Sequence, residues 1–121
     1  MSPEALWDRY AAIWSQDGDA RTGELAACLA DEVTYCDPNG LIEGRPAISA
    51  YMAGFQQGVP GGTFRISTVL HHHDRTLAHW TLLGPNGSAL HTGSSFGVLS
   101  EDGRFRSVTG FFQAEDPNQP I

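Results

Sequence analysis

The chain has 121 residues, a 40% hydrophobic composition and a formal net charge of -7 at pH 7. This length predicts one domain over residues 1–121, with enough apolar and aromatic side chains for a core. Only seven residues are basic, so no positive stripe is available to neutralise phosphates, and we expect no nucleic-acid partner. No apolar run is long enough to cross a bilayer and no signal-peptide pattern begins the chain, which predicts a cytoplasmic protein without a membrane partner.

The two cysteines indicate neither a disulfide framework nor a zinc site. Cys28 and Cys36 fall in different predicted elements and do not form a Cys-x-x-Cys spacing. Buried, reduced thiols are the simpler interpretation. A reactive Cys36 beside the following turn is the alternative.

The first half of the chain predicts three helices. Ser2 is a good N-cap for a first helix over residues 3–16, in which apolar residues recur at helical spacing. Thr22 is a candidate cap for a second, shorter helix. A third helix starts after Gly44, and its apolar residues follow the i, i+3, i+4, i+7 rule: Ile48, Tyr51, Met52 and Phe55.

A short strand over residues 33–36 lies between the second and third helices and leads into a turn. Asp37 stands at its end, directly before Pro38-Asn39-Gly40. A carboxylate in this position is a candidate reactive acid, and it is equally good turn chemistry without any function. Leu41 and Ile42 are expected to pair back on the strand.

The second half predicts a four-stranded meander, because strand-like runs alternate with turn signals at residues 85–87 and 101–103. The predicted strands cover residues 63–73, 77–83, 89–99 and 105–113. Alternation along the first of them places Phe64, Ile66, Leu70 and His72 on one face. Gly93, Gly97 and Gly110 fit either bends that curl the sheet or close packing. Residues 115–121, with two prolines, are expected to form a loose tail.

Helices that precede a meander are typical of an α+β protein with the helices on one face of the sheet. The order of elements and three local phrases resemble the SnoaL-like branch of the nuclear transport factor 2-like superfamily, which includes ketosteroid isomerase and polyketide cyclases. These phrases are Leu-Ala-Asp-Glu-Val-Thr-Tyr-Cys-Asp-Pro at 29–38, Glu-Gly-Arg-Pro-Ala-Ile at 43–48, and Asp-Gly-Arg-Phe at 102–105. The resemblance implies a cone-shaped, cystatin-like fold, with three N-terminal helices on a curved, mainly antiparallel sheet. It also implies a homodimer formed through the open side of the sheet.

The resemblance further implies site residues. Ketosteroid isomerase pairs an Asp general base with an oxyanion hole made of a Tyr and a protonated Asp. Its base lies in an Asp-Pro turn like that of Asp37. Its tyrosine lies in an Arg-Tyr-x-Ala-Ala phrase, which the stretch Arg-Tyr-Ala-Ala-Ile around Tyr10 resembles. The protonated acid would fall near Ser94 and Ser95, where this chain has only hydroxyls. Expected ligand-binding residues are Phe55, Trp80, Ser94, Phe96, Val108 and Phe112.

The histidine run at residues 71–73 suggests a metal site, but alternation along a strand argues against one. His71 and His73 would share a face, and His72 would point away from them. We therefore expect no metal and no cofactor, and treat His72 as a candidate polar or acid-base group in the pocket. Strand-end histidines that lead into a turn are the alternative.

Two functions follow from these residues. The first is proton transfer on a small apolar cyclic or polyketide-like substrate, as in an isomerase or cyclase, with Asp37 as base, Tyr10 as hydrogen-bond donor and His72 as auxiliary group. The second is a ligand-binding or dimerisation module without chemistry. A hydrolase or dehydratase of the same fold would need a further carboxylate or basic group beside Asp37, which the sequence does not locate.

Overall fold

The computed structural model describes residues 1–113, so the predicted tail at 115–121 lies outside the described residues. Within that range the helices are α1 (Pro3–Ile13), α2 (Gly18–Cys28) and α3 (Arg45–Gly58). The strands are β1 (Leu29–Asp37), β2 (Gly40–Glu43), β3 (Thr63–His72), β4 (Arg75–Leu83), β5 (Ala89–Leu99) and β6 (Phe105–Phe111). The predicted α+β class and element order are confirmed.

Side-chain caps explain where α1 and α2 begin. The Ser2 hydroxyl accepts a hydrogen bond from the Ala5 N–H at 3.1 Å, as predicted for α1. The prediction that Thr22 caps α2 is wrong. Asp17 caps this helix by accepting from the Ala20 N–H at 3.1 Å, and the Thr22 hydroxyl donates to the Gly18 carbonyl inside the first turn. Because Asp17 lies five residues earlier, α2 is longer than predicted.

Helix α1 is shorter than predicted because its last turn tightens. The N–H groups of Trp14, Ser15 and Gln16 donate to carbonyls three residues back instead of four. The Gln56 side chain of α3 then donates to the carbonyls of Trp14, at 2.8 Å, and Gln16, at 2.6 Å. This contact satisfies the end of α1 and ties it to α3.

One six-stranded sheet, in the order β2-β1-β6-β5-β4-β3, forms the other layer. Strands β3 to β6 form the predicted meander, and β2 pairs with β1 as expected. Strand β1 joins the meander by pairing with β6 in parallel. This non-local pairing places Cys36 opposite Thr109, so Asp37, at the end of β1, lies beside Gly110 near the end of β6.

Glycines in β5 make room for aromatic side chains. A Cβ on Gly93 would lie 2.3 Å from the Trp80 ring, and one on Gly97 would lie 2.6 Å from the Phe105 ring. The register shifts lie elsewhere, between Ile66 and Thr68 for example. Close packing, one of the two predicted roles, therefore describes these two glycines better than strand bending.

Helix α1 is fixed to the inner face of the sheet by a buried relay. The Trp7 indole donates to the Thr76 hydroxyl at 2.9 Å, which donates to the Gly97 carbonyl at 2.8 Å. Trp7 and Phe105 pack with ring centroids 4.6 Å apart. The relay satisfies polar groups that burial would otherwise leave unpaired, so helix and sheet form one core.

Candidate active site

A cavity of about 750 Å³ lies between the helices and the inner face of the sheet. Its walls are mostly apolar and aromatic, with a small number of polar groups, which is the usual character of a small-molecule site. The lining includes residues from α1, α3 and most of the sheet: Trp7, Tyr10, Trp14, Tyr35, Asp37, Asn39, Tyr51, Phe55, Phe64, Ile66, Trp80, Leu82, His91, Ser95, Gly110 and Phe112.

Asp37 is the carboxylate of this cavity, and only 9% of its surface is exposed. Its position follows from the turn predicted after β1, because the Asn39 N–H donates to Asp37 Oδ1 at 2.8 Å. Tyr35 donates its hydroxyl to Oδ2 at 2.7 Å, and the Tyr51 hydroxyl lies 2.9 Å from Oδ1 and 2.8 Å from Oδ2. The carboxylate is therefore held in one orientation by three donors.

The two phenols reach Asp37 from different elements. Tyr35 precedes it by two residues on β1, so their side chains share a face, while Tyr51 comes from α3. Burial, and then the hydrogen bond to Asp37, raise the pKa of Tyr51 to about 12. Burial also raises the pKa of Tyr35, with the neighbouring Tyr10 and Asp37 adding to the effect. Both phenols therefore stay protonated near neutral pH and act as hydrogen-bond donors.

Tyr10 lines the same cavity as Asp37, but its hydroxyl is enclosed. The ring is 5% exposed and packs edge-on against Trp7, Trp14 and Phe105. Within residues 1–113 its hydroxyl has no hydrogen-bond partner, and burial raises its pKa. Such an unpaired hydroxyl is costly, by about 1–3 kcal/mol, unless a ligand or water supplies a partner.

Aromatic rings form one wall of the cavity. Phe55 and Phe64 stack with centroids 5.1 Å apart, and Phe64 meets Trp80 edge-on at the same distance. The Trp80 indole donates to the Ser95 hydroxyl at 3.0 Å, which fixes the ring against the sheet. Phe112 continues this wall, with its centroid 5.9 Å from that of Trp80. Phe55, Trp80 and Phe112, three of the predicted ligand-binding residues, thus line this cavity.

Three of the predicted ligand-binding residues are not among those lining the cavity. Ser95 faces inward, so its neighbours Ser94 and Phe96 point to the outer face of the sheet. Ser94 binds His79 there, at 2.6 Å from Nδ1. Val108 faces inward but is 2% exposed and packed in the core. The position expected to hold a second acid is occupied by Ser95.

His72 lies outside the cavity, exposed at the end of β3. The register shift between Ile66 and Thr68 reverses the alternation along this strand, so Val69 packs towards the core and His71 reaches Glu4 on α1 at 2.9 Å. The predicted common face of Phe64, Ile66, Leu70 and His72 is wrong for this reason.

The histidine run assembles no metal site within the described part of the chain. His72 and His73 place their Nδ1 atoms 3.1 Å apart, whereas His71 pairs with Glu4. Among residues 1–113, no three His, Cys, Asp or Glu side chains come together in a way that could hold an ion.

No described helix is long and apolar enough to cross a bilayer.

Several residues of the site were not predicted from the sequence, among them Tyr35, Tyr51, Ser95 and His91. Tyr35 was detectable, because a tyrosine two residues before Asp37 on a strand must share its face. For Tyr51, helical spacing predicts only a core position on α3, since it does not show whether a hydroxyl reaches a partner. Ser95 and His91 depend on the register of β5, which residue patterns do not fix.

The sequence profile of the SnoaL-like domain family matches residues 7–110. A comparison with curated proteins found no match. A candidate isomerase of the SnoaL-like family from Agrobacterium tumefaciens has a similar structure, with TM-score 0.85 and 28% identity, covering 91% of this chain and 96% of that one.

Two structural relatives are more distant in sequence. A candidate ketosteroid isomerase from Kribbella flavida has TM-score 0.69 at 24% identity, covering 97% of this chain and 82% of its own. A candidate polyketide cyclase from Sinorhizobium meliloti has TM-score 0.70 at 16% identity, and the match covers 88% of this chain and 93% of that one. At these identities the two support the fold alone. Because the family profile spans most of the chain and the structure has the matching fold, the chain belongs to the SnoaL-like domain family of the nuclear transport factor 2-like superfamily.

Proposed function

We propose that this protein binds a small apolar cyclic molecule in the cavity and acts on it by proton transfer, as an isomerase or cyclase of ketone or polyketide-like substrates. The supporting observation is one carboxylate, Asp37, held by the phenols of Tyr35 and Tyr51 at the edge of an aromatic-lined cavity. A carboxylate next to hydrogen-bond donors is the arrangement that proton abstraction beside a carbonyl requires.

In the proposed reaction, Asp37 removes a proton from the carbon next to a substrate carbonyl. A phenol stabilises the negative charge that develops on the carbonyl oxygen. In an isomerisation Asp37 then returns the proton to a different carbon; in a cyclisation the enolate carbon attacks a second carbonyl of the same molecule, and the oxygen of that carbonyl takes the proton from Asp37. Tyr51 is the better placed donor, because it is half-buried at the cavity and already touches both carboxylate oxygens. The carbonyl oxygen and the acidic proton are close neighbours in such a substrate, so adjacent base and donor can serve both.

Tyr10, the donor expected from the sequence, is the second candidate for this role. Its hydroxyl lacks a partner among residues 1–113, which a substrate oxygen would supply, but the rings of Trp7 and Trp14 must move first. His72 has no part in this proposal because it lies outside the cavity.

A ligand-binding module without chemistry is the alternative, and one observation favours it. The hydrogen bonds from Asn39, Tyr35 and Tyr51 already occupy the carboxylate of Asp37, and a base must lose one of them before it can accept a proton. Ser95 stands where a second acid would strengthen the site. In this case ligands bind the cavity and Asp37 only orients them.

Thermal melting with a panel of cyclic ketones and polyketide-like compounds tests binding. A ligand at 100 times its dissociation constant adds about 2.7 kcal/mol to the free energy of unfolding, which a melting curve detects easily. We expect ketones of two or more rings to stabilise the wild type, and Asp37→Asn to change the ranking of ligands. Gly110→Ala, which narrows the cavity beside Asp37, should be stabilised less than the wild type by the same compounds. If no compound stabilises the wild type, or if the variant is stabilised equally, the cavity is not the binding site of these compounds.

We also propose that the protein is a cytoplasmic homodimer formed through the outer face of the sheet. Large apolar side chains are exposed on this face: Leu70 at 59% and Phe111 at 60%. Exposed apolar residues of this size on one face are typical of an interface. Sedimentation velocity of the wild type against Phe111→Glu tests the dimer, and cell fractionation tests the location.

A further inference from the structure

A second polar group lines the cavity at a distance from Asp37. His91 of β5 lines the cavity, and its Nε2 atom is enclosed without a hydrogen-bond partner among residues 1–113. The ring is surrounded by aromatic side chains, with centroids 6.4 Å from Trp80 and 5.8 Å from Phe112. Aromatic neighbours do not replace a hydrogen bond, and leaving a polar atom unpaired costs about 1–3 kcal/mol. A ligand group that reached Nε2 would recover this energy.

The strand register places His91 well away from the carboxylate. Ser95 pairs with Gly110, which lies beside Asp37, whereas His91 pairs with Leu82. His91 and Ser95 are four residues apart on one strand, which corresponds to about 13 Å. Both side chains line the cavity, so its polar groups are separated along its length.

We propose that His91 binds a hydroxyl group at the far end of an elongated, apolar, ring-containing ligand whose carbonyl end lies at Asp37. The placement of the carbonyl end at Asp37 rests on the proposed function. The placement of the hydroxyl end rests on the separation of His91 from Asp37. The wall between them is apolar and aromatic, formed by Trp80, Phe64 and Phe112, so it suits linked or fused rings.

A hydroxyl is the group that fits His91 best. Depending on the tautomer, Nε2 of a neutral imidazole either accepts or donates, and a hydroxyl does both. Nε2 is enclosed, so a neighbouring ring has to move before a ligand reaches it. We expect this to be Phe112, because it contacts His91 and follows the last residue of β6, so its movement need not break a strand hydrogen bond.

The test compares two ligands and four proteins. The ligands are para-acetylbiphenyl and its para′-hydroxy derivative, which differ only in a hydroxyl at the end opposite the ketone. The proteins are the wild type, His91→Phe, His91→Gln and the control His79→Gln, which alters a histidine exposed on the neighbouring strand. Phenylalanine keeps the aromatic packing against Trp80 and Phe112 and removes the ring nitrogens, so a folding defect is not expected. Dissociation constants are measured by calorimetry.

We expect the wild type and His79→Gln to bind the hydroxy compound about five to ten times more tightly than the parent ketone, the value of one hydrogen bond. His91→Phe should bind the two compounds with equal affinity, and His91→Gln should keep part of the preference. Equal binding by the wild type, or a preference that survives in His91→Phe, overturns the proposal.

The same ligands separate this inference from the proposed chemistry. Deuterium exchange into the acetyl methyl group reports proton transfer at Asp37, and the hydroxyl preference reports His91. Wild-type protein that prefers the hydroxy compound without catalysing exchange contradicts the proton-transfer function and supports the His91 anchor. Exchange without a hydroxyl preference supports the proton-transfer function and contradicts the His91 anchor.

Discussion

At the scale of single residues, the site depends on three contacts to one carboxylate. Asp37 is oriented by a backbone N–H from its own turn, by Tyr35 from its own strand and by Tyr51 from α3. The first two contacts are local and follow from the sequence around the turn. The third requires the tertiary packing of α3 on the sheet. Of the three contacts to Asp37, we expect the one from Tyr51 to be the easiest for a ligand to replace.

The two phenols should therefore respond differently to mutation. Tyr51→Phe removes the donor that faces the ligand, and we expect proton exchange to fall about 100-fold, as when an oxyanion donor is lost. Tyr35→Phe removes a buried structural contact, so it should lower the free energy of unfolding by about 1–2 kcal/mol with a smaller effect on exchange. Exchange rates and melting of the two variants check this. Equal effects on exchange would show that Tyr51 has no special role.

At the scale of elements, glycine positions on the inner face of the sheet distinguish packing from binding. A Cβ at position 97 would overlap Phe105, at 2.6 Å, and Trp7, at 2.8 Å. A Cβ at position 110 would make ordinary contacts, at 3.5 Å to Asp37 and 3.7 Å to Ser95. The first glycine serves the α1 interface, and the second borders the site.

We expect Gly97→Ala to lower the free energy of unfolding by about 1–3 kcal/mol, because overpacking forces the α1 interface apart. Gly110→Ala should stay within about 1 kcal/mol of the wild type, since nothing overlaps the new methyl group, but should weaken ligand binding. Urea unfolding of both variants is the measurement. Similar stabilities would mean that the rings of Trp7 and Phe105 can shift without cost.

Most elements could be predicted from the sequence, because helical spacing, turn residues and alternation are local signals. The register shift in β3 is not, since the residue at the bulge, Ser67, has no distinctive side chain. It reverses the faces of the following residues and moves His72 out of the predicted site. The parallel pairing of β1 with β6 is equally hidden, because it joins residues more than 70 positions apart. The turn residues therefore suffice to identify Asp37 as a candidate, whereas the side chains that surround it can be identified only from the fold.

At the scale of the whole molecule, all three tyrosines lie in the core or at the cavity. Burial raises the pKa of Tyr10 and Tyr35, and it raises that of Tyr51 to about 12. In the unfolded chain the same phenols ionise near pH 10. The contribution of the tyrosines to stability is therefore complete below about pH 10 and declines above it, as the unfolded chain loses protons that the folded chain keeps.

We expect the folded protein to show almost no tyrosinate absorbance at about pH 10, where model phenols are half ionised. Tyrosinate should instead appear together with the loss of helical circular dichroism at higher pH. Denatured protein in urea provides the control titration. Ionisation of two or more tyrosines near pH 10 with the fold intact would contradict the enclosed positions of these side chains.

We propose Asp37 as the group that transfers protons to and from a ligand in the cavity. The most direct test of this proposal is nuclear magnetic resonance of para-acetylbiphenyl in deuterated buffer, with wild-type protein and Asp37→Asn at equal occupancy. We expect the wild type to accelerate deuterium incorporation at the acetyl methyl group, and Asp37→Asn to bind the ketone but to lose this acceleration. Exchange at the uncatalysed rate with wild-type protein, or an undiminished rate with Asp37→Asn, would contradict it.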